Sequence, residues 1–269
     1  MRPAFLALAL LFLALQACAE NVTGFEDLSL TVTITAKEDG TAHVTEEVRL
    51  AVSQNVVDLY KTSLLSTRLT IVDWQRTTGS RNLRHHVLGE NVTPLNTRVF
   101  PRPLTRLYFS ERAIAIITVE YDTSGRVFDL TEIGPRRTAY TLLPGVLSFE
   151  NAPEGQVLPE NTVLEINVLP NSVVDLHSTF PRPTSPEFED RPATARSYVW
   201  NATGGAIPIT PFDFTFVTEK SLDEEVSEFF ADMQRQAASM LLSNYGLLII
   251  ILVLIFLALI AILRQTKTI

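Results

Sequence analysis

Apolar and polar residues alternate in two runs on either side of Asp39-Gly40. Leu28, Leu30, Val32, Ile34 and Ala36 form the first set, and Val44, Val48, Leu50 and Val52 the second. A period of two puts each set on one face of a strand, and Asp-Gly suits the positive φ angles of a tight primed turn. The stretch therefore predicts a β-hairpin. Further alternating or β-branched runs predict strands at Leu69 to Trp74, Ala113 to Tyr121, Arg126 to Leu130, Thr138 to Leu142, Thr162 to Leu169, Ser172 to Leu176, Tyr198 to Trp200 and Phe212 to Thr218. Gly, Pro, Asn and Ser punctuate them. About nine or ten short strands with no amphipathic helix between them predict a mainly β fold, an antiparallel β-sandwich of the immunoglobulin-like class.

The sandwich region spans 20–218, as one large or two small domains with a candidate break near 100–110. Two Phe-Pro-Arg-Pro tetrapeptides, beginning at Phe100 and Phe180, hint at a duplication. The Pro-rich stretch 178–196 cannot be a central strand, because proline has no N–H for the ladder; it is a linker or a long loop bridging the sheets, and the strand-like segments SYVW and FDFTFV after it favour the loop. Trp74 and Trp200, each on a predicted strand, read as packed core residues.

The period changes after Thr218. Ser221 and Glu224 have capping-box spacing, and Asp223, Glu224 and Glu225 suit the positive end of a helix dipole. Leu222, Val226, Phe229, Met233, Gln236 or Ala237, and Met240 then recur at spacings of four and three as an apolar stripe, predicting an amphipathic juxtamembrane helix over 219–245. The stripe could pack within the chain, dock a protein partner or form a coiled-coil seam between copies. Barely three heptads without clear e/g charge pairs fall short of specifying a coiled coil, so a rigid stalk or partner-binding helix is the favoured reading.

Both ends carry apolar segments. Arg2 followed by Ala4 to Leu15 predicts a secretory signal over 1–19, cut after the small-x-small triplet Ala17-Cys18-Ala19, with a lipobox ending at Cys18 as the rival reading. Leu247 to Leu263 is an uncharged run of 17 residues followed by Arg264 and Lys267. It predicts a transmembrane helix over 246–263, continuous with the juxtamembrane helix. Positive-inside asymmetry then places the tail 264–269 in the cytoplasm and the β region outside a cell membrane. The implied partners are membrane lipid through the C-terminal helix and a protein partner or second copy.

Composition narrows the function classes. The formal net charge is −8, and all acidic residues lie between Glu20 and Asp232. An acidic domain lacks the concentrated positive charge that nucleic acid requires. With Cys18 as the lone cysteine, no disulfide staples the chain, which leans towards a prokaryotic surface and a core stabilised by burial alone. Asn21, Asn91 and Asn201 begin N-x-Thr sequons and are the candidate glycosylation sites.

Catalytic signals are weak. His85-His86 with Glu90 is the best metal candidate, but neighbours on a strand point to opposite faces, and solvated loop histidines are favoured. His43 and His177 stand alone. Asp122-Thr123-Ser124-Gly125 departs from the aspartic-protease Asp-Thr-Gly and reads as a turn. Carboxylate pairs such as Glu46-Glu47 look surface-like. No catalytic residue, cofactor or metal site is expected.

The order of features, with the segments TVTITAKEDGTAHVTEEVRL, YDTSG, LEINVLP and SYVW, resembles uncharacterised single-pass surface proteins of archaea and some bacteria. It resembles, more distantly, the lumenal β-sandwich region of ribophorin-type oligosaccharyltransferase subunits. The resemblance implies a fold and a setting, and transfers no functional residue. The expected function is that of a non-enzymatic, membrane-anchored binding or surface-assembly protein. An accessory subunit of a membrane complex is the first alternative, and a cell-envelope hydrolase the second.

Overall fold

The structure is a computed structural model that describes residues 24–66, 69–106, 112–134, 136–185, 196–220, 222–242, 251–252 and 255–256. The chain divides into two compact units, Met1–Thr218 and Glu219–Ile269.

In the first unit, β1 (Phe25–Ala36) and β2 (Ala42–Val52) form the expected hairpin. Burial follows the sequence alternation from Leu30 onward, with Leu30, Val32, Ile34, Val44, Val48 and Leu50 inside; Leu28, expected with them, is exposed at a register shift between Asp27 and Ser29. The connection is longer than a two-residue primed turn. Residues 37–41 form the loop, only Gly40 has a positive φ (82°), and the Asp39 carboxylate accepts from the Thr41 N–H at 2.9 Å. The side chain of Asp39 thus stabilises the turn from outside, where a second positive φ was expected.

The chain continues through β3 (Pro94–Pro101), β4 (Thr105–Arg106), β5 (Ala113–Thr123), β6 (Phe128–Gly134), β7 (Arg137–Leu142), β8 (Glu150–Ala152) and β9 (Gly155–Leu158). It ends in β10 (Thr162–Asn167), β11 (Ser172–Val174), β12 (Ser197–Asn201), β13 (Ile207–Pro208) and β14 (Thr215–Glu219). The largest sheet runs β12-β10-β1-β2-β5-β3, with β4 also on β5; a second runs β11-β14-β7-β6 and a third β13-β9-β8.

The all-antiparallel sandwich is corrected here, because β1 and β10 pair in parallel, with Leu30 opposite Thr162 and Thr35 opposite Asn167. Alternation specifies which face of a strand is buried; it carries no information about the direction of the partner. Central β1 takes β2 on one side, and the other side is filled by a strand that arrives from more than a hundred residues downstream.

Two helices that the sequence reading lacked lie after β2: α1 (Val57–Leu64) and α2 (Ile71–Thr78). The expected strand Leu69 to Trp74 is mostly α2. Thr70 caps it with Asp73 in a reciprocal capping box, and buried Ile71, Trp74 and Thr78 recur at steps of three and four. Trp74 is therefore a core residue, as expected, but on a helix. Its ring centroid lies 5.5 Å from that of Tyr60 on α1.

Gly40 at the tip of the hairpin joins the first sheet to the second. Its carbonyl accepts the N–H groups of Val127 at 2.8 Å and Phe128 at 3.0 Å. Within the second sheet Tyr140 on β7 stacks on Phe216 on β14 at 4.8 Å, and Phe214 carries the aromatic layer across to Trp200 on β12 of the first sheet. The Trp200 indole N–H reaches the Pro181 carbonyl at 2.7 Å, so the start of the Pro-rich loop is held against β12. Residues 186–195 of that loop lie outside the described residues.

In the second unit, α3 (Leu222–Leu242) carries Asp223, Glu224, Glu225, Glu228, Asp232 and Arg235. Ionised side chains are costly in hydrocarbon, so α3 does not span a membrane. Among the described residues no helix is long and apolar enough to cross one. The transmembrane helix, the long juxtamembrane helix continuous with it, the lipid partner and the single-pass cell-membrane placement expected from the sequence are corrected on that finding. Of the expected span 246–263, only Ile251, Leu252, Ile255 and Phe256 are described, as exposed helical residues; the rest lies outside the described residues. So do the signal segment 1–19, Cys18, Asn21, Ser221 and the tail 264–269.

Candidate functional site

Position 46 breaks the pattern of β2. The inward phase reads Ala42, Val44, Glu46, Val48, Leu50, so the strand carries a carboxylate onto its apolar face. Glu46 is 0% exposed, which corrects its reading as a surface residue. A buried carboxylate is tolerated only when its oxygens are occupied. Three groups occupy them. One oxygen accepts the His86 backbone N–H at 2.7 Å and the Tyr121 hydroxyl at 2.6 Å, and the other meets His86 Nδ1 at 3.0 Å.

Tyr121 arrives by the same logic from the inward phase of β5, and its hydroxyl in turn accepts the Val87 N–H at 3.1 Å. Burial, then the neighbouring Glu46 carboxylate, pushes the phenol far above its usual range, so it remains a donor. His85 lies edge-on to the Tyr121 ring at 4.7 Å, with Nε2 3.2 Å from the Thr97 hydroxyl. Burial holds its pKa below 6.5; Glu46 opposes that shift and His86 adds to it. On the far side, the His86 ring packs against Phe149 at 5.3 Å.

A carboxylate, an imidazole and a phenol in contact are the parts of an acid–base site. Here each is also a structural tie between the sheet and the segment that crosses it at 85–87. Glu46 and His86 are sealed from solvent, and Tyr121 is nearly so. Proton transfer to a substrate needs the reacting atom within hydrogen-bond reach, and among the described residues Glu46, His86 and Tyr121 are all buried.

A cleft of about 480 Å³ lies elsewhere, lined in part by Glu26, Asp27, Ser53, Ser80, Arg81 and Arg112. Arg112 and Glu26 form an ion pair across it. No group of the buried cluster lines it. Lys37, His43 and Asp122 form a third cluster on the sheet surface, with Asp122 Oδ1 2.7 Å from Lys37 Nζ and 3.0 Å from His43 Nδ1. Those two hydrogen bonds hold the Asp122 carboxyl below its ordinary range.

The residues singled out from the sequence are dispersed. His85 and His86 do not converge with Glu90, which is exposed, and His177 is exposed in a loop. Among the described residues no group of three or more His, Cys, Asp or Glu could hold a metal. Asp122 to Gly125 is a strand end and turn, with the Thr123 hydroxyl accepting the Ala42 N–H at 2.9 Å. Asn91 and Asn201 are both exposed, and the Asn201 side-chain oxygen accepts the Thr203 N–H at 2.9 Å. Of the helical stripe, Val226, Phe229 and Met233 are exposed on α3; Leu222 and Met240 occupy the same helix. Phe230, absent from the expected stripe, is exposed beside them.

No family model and no curated protein matches this chain. Among solved structures, it is similar to the Mu homology domain of Fcho1 from Danio rerio with bound Eps15 peptide, over 73% of this chain and 80% of that chain, at 9% identity. The TM-score is 0.19, too low for the likeness to carry any argument.

Proposed function

We propose that this chain is a non-enzymatic binding and assembly protein, in which a β unit is joined to a helix that binds another protein chain. The observation that carries this reading is the exposure of Val226 (50%), Phe229 (60%), Phe230 (58%) and Met233 (50%) on α3. A single exposed apolar residue needs no explanation, but large apolar side chains at helical spacing form a patch of the kind that marks protein contacts. Each such side chain would gain roughly 1.5–3 kcal/mol on full burial. The enclosure of Glu46, His86 and Tyr121 supports the non-enzymatic half of the reading, because every group of the best-assembled acid–base cluster is buried.

The test compares the full chain with a Phe229→Glu/Met233→Glu variant by light-scattering mass and by crosslinking in the source cells. An association lost in the variant, with the β signal in circular dichroism unchanged, supports the role. Association that is indifferent to both substitutions, or turnover abolished by Glu46→Gln in a variant that stays folded, overturns it.

A further inference from the structure

We infer that β3, a border strand of the largest sheet, takes an extended acidic segment of another protein as an added strand. The inference concerns the β unit and goes beyond the helix-borne binding role. β5 fills one side of β3, and among the described residues 95–100 make backbone hydrogen bonds to β5 alone. The opposite border differs, because Thr184 and Ser185 bond the backbone of Val199 on β12. Unpaired N–H and C=O groups along a strand are a template for a further strand. Pro94 and Pro101 end the free stretch, and a register shift beside Asn96 (φ 55°) interrupts it. Those devices suit a short docked segment and oppose open-ended sheet growth.

Charge selects the occupant. The chain has a formal net charge of −8, yet from Asn91 to Ser110 it holds Arg98, Arg102 and Arg106 and no Asp or Glu. Arg98 is exposed and, although opposite Glu120 on β5, makes no ion pair among the described residues. A carboxylate on an added strand can lie across from it, and such opposite-charge pairs stabilise sheets. Leu95 (47% exposed) and Phe100 (44%) offer the segment apolar contacts. β6, at the border of the second sheet, carries exposed Asp129 and Glu132 and repels the same segment. An anionic lipid surface would meet the arginines but would leave the strand edge unpaired, so the free edge favours a polypeptide.

The experiment titrates the full chain into a labelled peptide of about ten residues that alternates Val and Glu, read by fluorescence anisotropy at low salt. Saturable binding is expected, weakened about tenfold by Arg98→Glu with circular dichroism unchanged, weakened less by Arg98→Gln, and indifferent to Phe229→Glu/Met233→Glu. Amides within 95–100 should gain protection from hydrogen exchange. A Val-Lys peptide should bind at least about tenfold more weakly, and so should one of the two Val-Glu peptides N-methylated at alternate amides. Undiminished binding of both N-methylated peptides overturns strand addition. Unaltered binding to Arg98→Glu overturns the assignment to β3, and absence of binding overturns the site. Adsorption to vesicles containing phosphatidylserine, with no binding of the peptide, assigns the basic stretch to lipid and equally overturns the inference.

Discussion

Glu46 holds His86 twice, taking its backbone N–H on one carboxylate oxygen at 2.7 Å and its ring Nδ1 on the other at 3.0 Å. The carboxylate is therefore a clamp between β2 and a segment 40 residues away, and its removal strands buried donors. Glu46→Ala should destabilise the β unit by about 3 kcal/mol or more, since a buried charged network loses its centre. Glu46→Gln should cost less, because it keeps an acceptor for the backbone N–H. Tyr121→Phe should lie at about 1–3 kcal/mol, the cost of leaving the Val87 N–H and one carboxylate oxygen under-satisfied. Urea unfolding followed by circular dichroism measures all three; a Glu46→Ala loss smaller than that of Tyr121→Phe would show that the clamp is not centred on the carboxylate.

Acid should weaken the fold in two stages. His85 has a depressed pKa, so its contribution is complete above its ordinary value of 6.5, where both folded and unfolded chains leave it neutral. Below 6.5 the unfolded chain binds the proton first, and stability falls until the folded-state value is passed. Asp122 is depressed too, so its contribution stands above 3.8 and is lost below it. Asp122 is partly exposed, and salt should reduce the second stage. Urea midpoints between pH 8 and pH 3 should show His85→Leu flattening the upper stage only and Asp122→Asn reducing the lower, to which Asp39 and Asp73, held low by hydrogen bonds from Thr41 and Thr70, also contribute.

The β1–β2 hairpin and most later strands were legible because period two is written directly in the residues. The Glu46 clamp was missed, because the Glu46-Glu47 pair reads as a surface feature. Between Val44 and Val48 a carboxylate sits in the buried phase, which by itself signals a buried acid in need of partners. Its partners were not legible, because His86 and Tyr121 lie 40 and 75 residues away and meet it only through sheet register and a crossing segment. The α2 helix was missed for a nearer reason. Leu69, Ile71 and Val72 favour strands, but the Thr70–Asp73 cap and burial of Trp74 outweigh that local preference. The parallel β1–β10 pair had no local signal at all.

Thr118 gives an opposite kind of prediction. It is buried on β5, and its hydroxyl has no hydrogen-bond partner among the described residues. Valine has the same shape without the polar atom, so Thr118→Val should leave stability unchanged or raise it by about 1 kcal/mol. Thermal and urea unfolding would check this, with Thr123→Val as the control. The Thr123 hydroxyl accepts the Ala42 N–H at 2.9 Å and donates to the Gly125 carbonyl at 3.0 Å, so its loss should destabilise. Two threonines on one strand would then respond with opposite signs, decided by hydrogen bonding alone.

Gly40 and Gly145 separate two costs that usually arrive together. Both have positive φ, 82° and 75°, which side chains other than glycine adopt at some cost. A Cβ on Gly145 meets nothing within 4 Å, whereas one on Gly40 would collide with the Leu130 side chain and the Phe128 carbonyl oxygen. Gly145→Ala should therefore cost about 1 kcal/mol, the backbone part alone. Gly40→Ala should cost about 1–3 kcal/mol more, because the carbonyl it meets belongs to the strand whose N–H groups bond the Gly40 carbonyl, and neither can move without opening that contact. Paired urea titrations decide it. Equal losses would mean that the tip of the hairpin yields freely against β6, and that the two sheets are held together by the aromatic layer of Tyr140, Phe214 and Phe216 instead.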